Sequence, residues 1–79
     1  MIQYLVRASN ANGGFTSTFD TLHDAEVSLN AIREVNHCLN DSGLTDMLFT
    51  AWITKWEGYT LEDGSKVTVS AEQVTLLTV

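Results

Sequence analysis

The chain contains no proline, only five glycines and a single cysteine among its 79 residues. The absence of proline excludes a Pro-rich linker, and so few glycines exclude a Gly/Ser tether or a collagen-like repeat. Because Cys38 is alone, no intramolecular disulfide can form, and a small domain without disulfides is typical of a reducing compartment. We therefore expect one domain, residues 1–79, located in the cytoplasm.

Positive charge is scarce as well. Four Lys and Arg stand against ten Asp and Glu, which gives a net charge of −6. Binding to nucleic acid or to an anionic membrane depends on cations that displace counterions, so this charge disfavours both. No apolar run approaches the roughly 20 residues that span a bilayer. We expect no direct contact with nucleic acid or membrane, and a protein partner with a basic surface.

Alternating polarity predicts the first two strands. Apolar and polar residues alternate in IQYLVRA (2–8) and again in FTSTFD (15–20), on either side of Asn12-Gly13-Gly14. A glycine-rich segment at this place is either a phosphate-binding loop or a tight turn. The Lys and the glycine spacing of phosphate loops are missing, and Asn-Gly readily takes the positive φ angles of hairpin turns. We interpret the segment as a hairpin turn.

A helix is predicted to begin at Thr21, which forms a near capping box with Asp24. Its apolar residues recur at spacings of three and four: Leu22, Ala25, Leu29, Ile32, Asn36 and Leu39, widened by Val27, Ala31, Val35 and Cys38. The opposite side is polar and comprises Asp24, Glu26, Asn30, Arg33, Glu34 and His37. Turn-forming residues before Gly43 predict that the helix ends near residue 39 or 40.

Three more strands are predicted after the helix. MLFTAWITKW (47–56) is rich in β-branched and aromatic residues, and a bend is expected at Gly58. Asp63-Gly64 lies between two alternating runs in 59–69 and predicts a hairpin. A last strand, 74–79, follows a turn at 70–73. The order β-β-α-β-β-β indicates an α+β fold, an antiparallel sheet of four to five strands with one helix packed on one face.

One helix covers only one face of such a sheet. The larger apolar residues are expected beneath the helix, where they meet Leu22, Leu29 and Ile32: Ile2, Tyr4, Val6, Phe15, Phe19, Phe49 and Ile53. The other face is then uncovered and carries Gln3, Leu5, Arg7, Thr16, Thr18, Thr50, Trp52, Thr54 and Trp56.

No residue pattern predicts catalysis. His37 and Cys38 are adjacent, but neighbouring helical residues point about 100° apart, and Cys38 is expected on the buried flank. Metal sites need three or four converging ligands, and this chain offers only helix-surface pairs: His37 with Asp41, and His23 with Glu26. We expect no catalytic, cofactor or metal site and a protein that is not an enzyme. An enzyme or a small-ligand binder would need a pocket that the sequence does not predict.

Two surface features are candidates for partner binding. The first is a group of acidic residues on and around the helix: Asp20, Asp24, Glu26, Glu34, Asp41 and Asp46. They are either an ordinary solvated surface or a patch that docks on a basic partner. The second is the pair Trp52 and Trp56, which lie on one face of one strand. Either a single indole completes the core, or the two indoles together form a contact surface. Base stacking on the indoles is disfavoured by the net charge.

The order of elements also resembles a known group of proteins. A hairpin leading into FDTLHDAEVSLNAI, a W-x-x-x-W strand and a closing DGSKVTVSAEQVTLLTV are similar to short acidic proteins of phages, among them the anti-CRISPR proteins. The resemblance implies an inhibitor without enzymatic activity that binds a host defence complex, such as a CRISPR-Cas ribonucleoprotein, at its basic channels. The competing interpretation is a homodimeric assembly protein whose sheet faces pair through Trp52 and Trp56.

Overall fold

The structure is a computed structural model, and it describes residues 1–77. The elements are β1 (Ile2–Asn10), β2 (Gly13–Phe19), helix α1 (Leu22–Asp41), a 3-10 helix (Thr45–Met47), β3 (Thr50–Thr60) and β4 (Lys66–Leu76). The strands form an antiparallel sheet in the order β2-β1-β3-β4, and α1 packs on one face of it. The predicted α+β class with one helix is confirmed. No helix among the described residues is long and apolar enough to cross a bilayer.

The sheet has four strands within residues 1–77, the lower of the two predicted numbers, because the last two predicted strands are one. β4 runs through the predicted turn at 70–73, and β3 continues through Gly58, where its pairing with β4 shifts register, so the order is β-β-α-β-β. Register shifts in the β3 and β4 pairing leave Val69 and Val74 without a partner, which marks two bulges. Bulges and polar residues are both compatible with an edge strand. Thr78 and Val79 of the predicted last strand lie outside the described residues.

Both predicted hairpins are present. Asn10 pairs with Gly13, so two residues connect β1 to β2, and the Asn12 N–H donates to Asn10 Oδ1 at 2.9 Å. The positive φ in this turn belongs to Gly13, at 135°. In the β3 to β4 connection, the Asp63 carboxylate accepts from the Ser65 N–H at 2.9 Å. The turns are therefore closed by Asx-type side-chain bonds.

The ends of α1 follow the predicted capping chemistry. Thr21 Oγ1 accepts from the Asp24 N–H at 3.2 Å. At the other end Gly43 has a φ of 75°, its N–H donates to the Asn40 carbonyl, and the Leu44 N–H donates to the Leu39 carbonyl at 2.8 Å. This pair of bonds is a Schellman motif, in which glycine takes the left-handed conformation without steric cost.

The core lies between α1 and the two central strands. Val6 is opposite Ile53, and Ala8 is opposite Ala51, so these four side chains share the covered face. Alanines here and on α1 let the helix approach the sheet closely. The buried apolar residues are Val6, Ala8, Ala25, Leu29, Ile32, Ala51, Ile53 and Leu77, with Tyr4, Phe19 and Phe49 packed against them.

Asn36 is the buried polar residue of this core, with 2% of its surface exposed. Its side-chain amide donates to the Phe49 carbonyl at 3.0 Å, and its Oδ1 accepts from the Phe49 N–H at 2.8 Å. Phe49 immediately precedes β3, so its backbone lies outside the ladder. Asn36 supplies the two hydrogen bonds that a neighbouring strand would have made, and thereby joins α1 to the start of β3.

The buried stripe of α1 is narrower than predicted. Only Ala25, Leu29, Ile32 and Asn36 are buried on it, whereas Val27 and Val35 are 56% and 47% exposed. The expectation that Cys38 is buried is wrong, since its side chain is exposed. Cys38 follows Asn36 by two residues, which turns it about 200° around the helix and away from the sheet.

The molecule is elongated because β3 and β4 extend past β1. The β1 and β3 pairing ends at Ile2 and Glu57, whereas β3 and β4 continue to Thr60 and Lys66. The overall extents are 49 × 24 × 15 Å and the radius of gyration is 14.5 Å. A compact chain of this length would have a radius of gyration of about 12 Å. We call the part of β3 and β4 that extends past β1 the ribbon, and α1 does not cover its far end.

Candidate functional site

All six acidic candidates are exposed, and they follow the length of α1. Asp20 precedes the Thr21 cap, and Asp46 lies in the 3-10 helix beyond the other end. A helix of 20 residues is about 30 Å long. We call these residues the acidic surface: Asp20, Asp24, Glu26, Glu34, Asp41 and Asp46.

The helical geometry brings some of these carboxylates together and separates others. Glu34 and Asp41 are seven residues apart, which places them on one line, about two turns apart, on the side away from the sheet. Asp24 and Glu26 lie about 160° apart, on opposite flanks of the first turn. On α1 itself the acidic surface therefore has an outer line and two flanking positions, and Asp20 and Asp46 lie beyond its ends.

Helix electrostatics explain only part of the acidic surface. Asp24 lies in the first turn of α1, where a negative charge is stabilised by the helix dipole. Asp41 lies at the opposite end, where the dipole disfavours a carboxylate and the last turn contains no basic residue. Helix stability therefore accounts for Asp24 but not for Asp41.

Both tryptophans lie on the uncovered face of the sheet. Trp52 is opposite Arg7 on β1 and Leu76 on β4, and Trp56 is opposite Gln3. Each indole is half-buried among these neighbours, and neither completes the core beneath α1. We call the face that contains them the tryptophan face.

The indole of Trp56 is held in place by three neighbours. Its Nε1–H donates to Thr68 Oγ1 at 2.9 Å, and Lys66 Nζ lies 5.9 Å from the ring centroid. A Cβ on Gly58 would lie 2.6 Å from Cζ2 of this ring and would also strike the Val67 carbonyl. Gly58 is therefore a position of close contact, where a side chain would not fit. The W-x-G spacing is the sequence signal for this contact between the Trp56 ring and Gly58, because residues two apart in a strand share a face.

Charge differs between the two sides of the molecule. Among the described strand residues, those whose register places them on the tryptophan face include no Asp or Glu, while Arg7 and Lys66 are cationic. Glu57 and Glu72 have the opposite register and belong to the covered face. The net charge of −6 is thus carried by the helix side, the loops and the ribbon end.

His37 and Asp41, and His23 and Glu26, all lie on α1. Within residues 1–77 no group of three or more His, Cys, Asp or Glu is placed to hold a metal ion. His37 and Cys38 are both exposed on α1. The pKa of Asp63 lies below its ordinary value because the carboxylate accepts hydrogen bonds from the backbone and side chain of Ser65. That interaction closes a turn, so it has a structural role.

An apolar groove beside α1 was not predicted from the sequence. It has a volume of about 340 Å³, and its lining residues are Phe15, Ser28, Ala31, Ile32, Val35 and Phe49. The rings of Phe15 and Phe49 form one wall, in edge-to-face contact with centroids 6.1 Å apart. The available signal was the excess of apolar residues on α1, since a stripe that included Val27, Ala31, Val35 and Cys38 is wider than one sheet can cover.

Three exposed features are therefore present: the acidic surface, the tryptophan face and the apolar groove. All three are suited to contact with another molecule, and each has a different chemistry. Comparison of the chain with protein families, curated proteins and solved structures finds no match.

Proposed function

We propose that the protein is a binding protein without enzymatic activity, an inhibitor of the phage-encoded anti-CRISPR type that works in the bacterial cytoplasm. Its acidic surface docks on a basic, nucleic-acid-binding surface of a defence complex such as a CRISPR-Cas ribonucleoprotein. The observation that carries the proposal is the segregation of charge. Carboxylates follow α1 for about 30 Å, and the tryptophan face within the described strands has none.

Charge of this kind acts mainly on the rate and specificity of association. A surface of one sign steers a partner of the opposite sign, and the effect weakens as salt screens the exposed charges. Glu34 and Asp41 contribute little to the stability of α1, so a contact role is compatible with their positions. The proposal therefore predicts binding that weakens steeply as the salt concentration rises.

The test is capture of a partner from a bacterium with active CRISPR-Cas immunity. The tagged protein is compared with the variant Glu34→Lys/Asp41→Lys and with the control Glu57→Lys/Glu62→Lys. Both variants change the net charge by the same amount, and all four residues are exposed. We expect the intact protein and the control to capture a defence ribonucleoprotein, and the Glu34→Lys/Asp41→Lys variant to lose it.

Phage plating supplies the functional measurement. Expression of the intact protein is expected to restore plating on immune cells, and Glu34→Lys/Asp41→Lys is expected to abolish that effect. Equal activity of the two charge variants would show that position on the helix is irrelevant and would reject the acidic surface. Capture of no defence component, together with no effect on plating, would reject the function itself.

A second function is favoured by the tryptophan face. Leu5 lies opposite Thr18 on β2 and Thr54 on β3, diagonal to both tryptophans, and Leu76 lies opposite Trp52. A partly exposed apolar region therefore faces solvent on the sheet. Two copies pairing through this face would not bring carboxylates together. We infer a homodimeric assembly protein as the alternative. A dimer mass by light scattering, lost on Trp52→Glu but kept on Thr45→Glu, which is exposed in the 3-10 helix away from this face, would support it, and a monomer would reject it.

A further inference from the structure

The apolar groove has room for a bulky apolar side chain. Its walls come from three different elements, with Phe15 on β2, Phe49 before β3, and Ala31 and Val35 on α1. Ile32, which is 7% exposed, belongs to the core beneath it. The volume of about 340 Å³ lies within the range of small binding pockets. Ser28 is the polar exception among the lining residues.

The groove continues as an apolar row along the exposed side of α1. Val27, Ala31 and Val35 are spaced by four residues, so they lie side by side over about two turns of helix. Val27 and Val35 are each about half exposed, as is Phe15 across the groove. Contiguous exposed apolar area of this kind marks an interaction site more often than scattered single residues do.

Charge complementarity indicates which partner occupies the groove. The helix that carries the row has four acidic residues, with Arg33 as its basic residue. Glu34 is adjacent to Val35, and Asp24 precedes Ser28 by one turn on the groove side. A second copy of the chain would bring these carboxylates against one another, and like charges at close range are unfavourable. A cationic partner would meet both carboxylates while its apolar side chains fill the groove.

We propose that the groove and the adjoining row bind a cationic amphipathic helix of the partner protein, with one large aliphatic or aromatic side chain inserted between Phe15 and Val35. This inference rests on the proposed function and specifies the kind of segment that the acidic surface contacts. An amphipathic helix laid in a groove presents anchors at the same three- and four-residue spacing as the row on α1. Its lysines or arginines face Asp24 and Glu34.

A synthetic peptide tests the groove without knowledge of the natural partner. The probe is a fluorescein-labelled peptide of Leu and Lys arranged as an amphipathic helix, and a scrambled peptide has the same composition without that arrangement. We expect the intact protein to bind the helical peptide and to bind the scrambled one at least about tenfold more weakly, since burial of one aliphatic side chain corresponds to roughly that factor. Equal binding of both peptides would overturn the proposal.

Matched substitutions locate the binding. Val35→Asn removes an apolar wall of the groove, and the control Val69→Asn makes the same exchange at an exposed valine on β4. Ala31→Trp fills the groove from an exposed position. We expect Val35→Asn and Ala31→Trp to weaken peptide binding about tenfold and Val69→Asn to change it less than about twofold. Circular dichroism of each variant verifies that the fold is retained.

The outcomes separate this inference from the function it extends. If Glu34→Lys/Asp41→Lys loses the captured complex while Val35→Asn keeps it, docking through charge stands and the groove proposal fails. If the peptide binds through the groove but no defence complex is captured, the groove stands and the proposed function fails. A protein dimer that Val35→Asn dissociates would make a second copy the occupant and would overturn the proposal.

Discussion

The two faces of the sheet are built from the same strands but have different roles. In β3, Ile53 is fully buried beneath α1, whereas its neighbours Trp52 and Thr54 belong to the uncovered face. Because side chains alternate along a strand, each face can change its chemistry without disturbing the other. The covered face supplies the core of this small domain, and the uncovered face and the outside of α1 are accessible to solvent.

The helix side of the molecule and the tryptophan face also differ in charge. The helix side carries the acidic surface, while the strand residues of the tryptophan face have Arg7 and Lys66 and, as far as residue 77, no carboxylate. A net charge of −6 describes the chain as a whole and describes neither side well. The excess of negative charge therefore belongs to the helix side and the loops, not to the tryptophan face.

The largest effect is expected from removal of a core side chain on the covered face. Ile53→Ala leaves a cavity in a fully buried site, and such changes cost about 2–5 kcal/mol. A domain of this size has a total stability of about 4–12 kcal/mol, so the variant loses a large part of it. Thr54→Ala, the adjacent residue on the uncovered face, is expected to change the free energy of unfolding by less than about 0.5 kcal/mol.

Urea unfolding followed by far-UV circular dichroism measures both variants. The difference between the urea midpoints of the two variants measures how much more the covered face contributes to stability than the uncovered face. Similar losses for Ile53→Ala and Thr54→Ala would contradict the one-sided core.

A smaller loss of stability is expected where Asn36 of α1 is hydrogen-bonded to the Phe49 backbone. Asn36→Ala removes both side-chain bonds to the Phe49 backbone and leaves a partly buried N–H and carbonyl without partners. The expected loss is about 1–3 kcal/mol in the free energy of unfolding. Asn40→Ala, on an exposed position of the same helix, should have almost no effect, and hydrogen exchange of the Phe49 amide should accelerate in the Asn36 variant alone.

Local signals in the sequence were sufficient for much of the fold. The caps at Thr21 and Gly43 and the two hairpins depend on interactions within a few residues, and the structure contains all of them. The merging of two predicted strands into β4 depends on pairing with β3 across two bulges, which no local pattern contains. Polar residues 70–73 resemble a turn because an edge strand tolerates them.

In the candidate site, too, local features could be predicted from the sequence and features that depend on distant contacts could not. Exposure of the acidic residues and a shared face for Trp52 and Trp56 followed from periodicity. The groove could not be predicted from periodicity. Its lining residues, such as Phe15 and Val35, are distant in sequence and come together only when α1 packs on the sheet. The burial of Cys38 was mispredicted for a related reason, since the width of an apolar stripe does not reveal how much of it the sheet covers.

On the tryptophan face, a modest effect is expected from loss of one hydrogen bond. Trp56→Phe keeps an aromatic ring over Gly58 but removes the donor to Thr68 Oγ1. We expect a loss of about 0.5–1.5 kcal/mol in the free energy of unfolding. Thr68→Val removes the acceptor, so the double variant should be little worse than either single one. Fully additive losses would show that the two side chains do not interact.

The smallest effect on stability is expected at the end of the ribbon, where the Asp63 carboxylate closes the turn between β3 and β4. The Asp63 carboxylate is held by hydrogen bonds from Ser65, so its pKa in the folded protein is below the ordinary value of 3.8. A lowered folded pKa contributes stability above the ordinary pKa, and that contribution disappears as the pH falls through the folded pKa. Asp63→Asn should therefore be slightly less stable than the intact protein at neutral pH and equal to it in strong acid. Glu62→Gln removes the neighbouring charge without touching Ser65, so thermal unfolding of this control across the same pH series should not show that convergence.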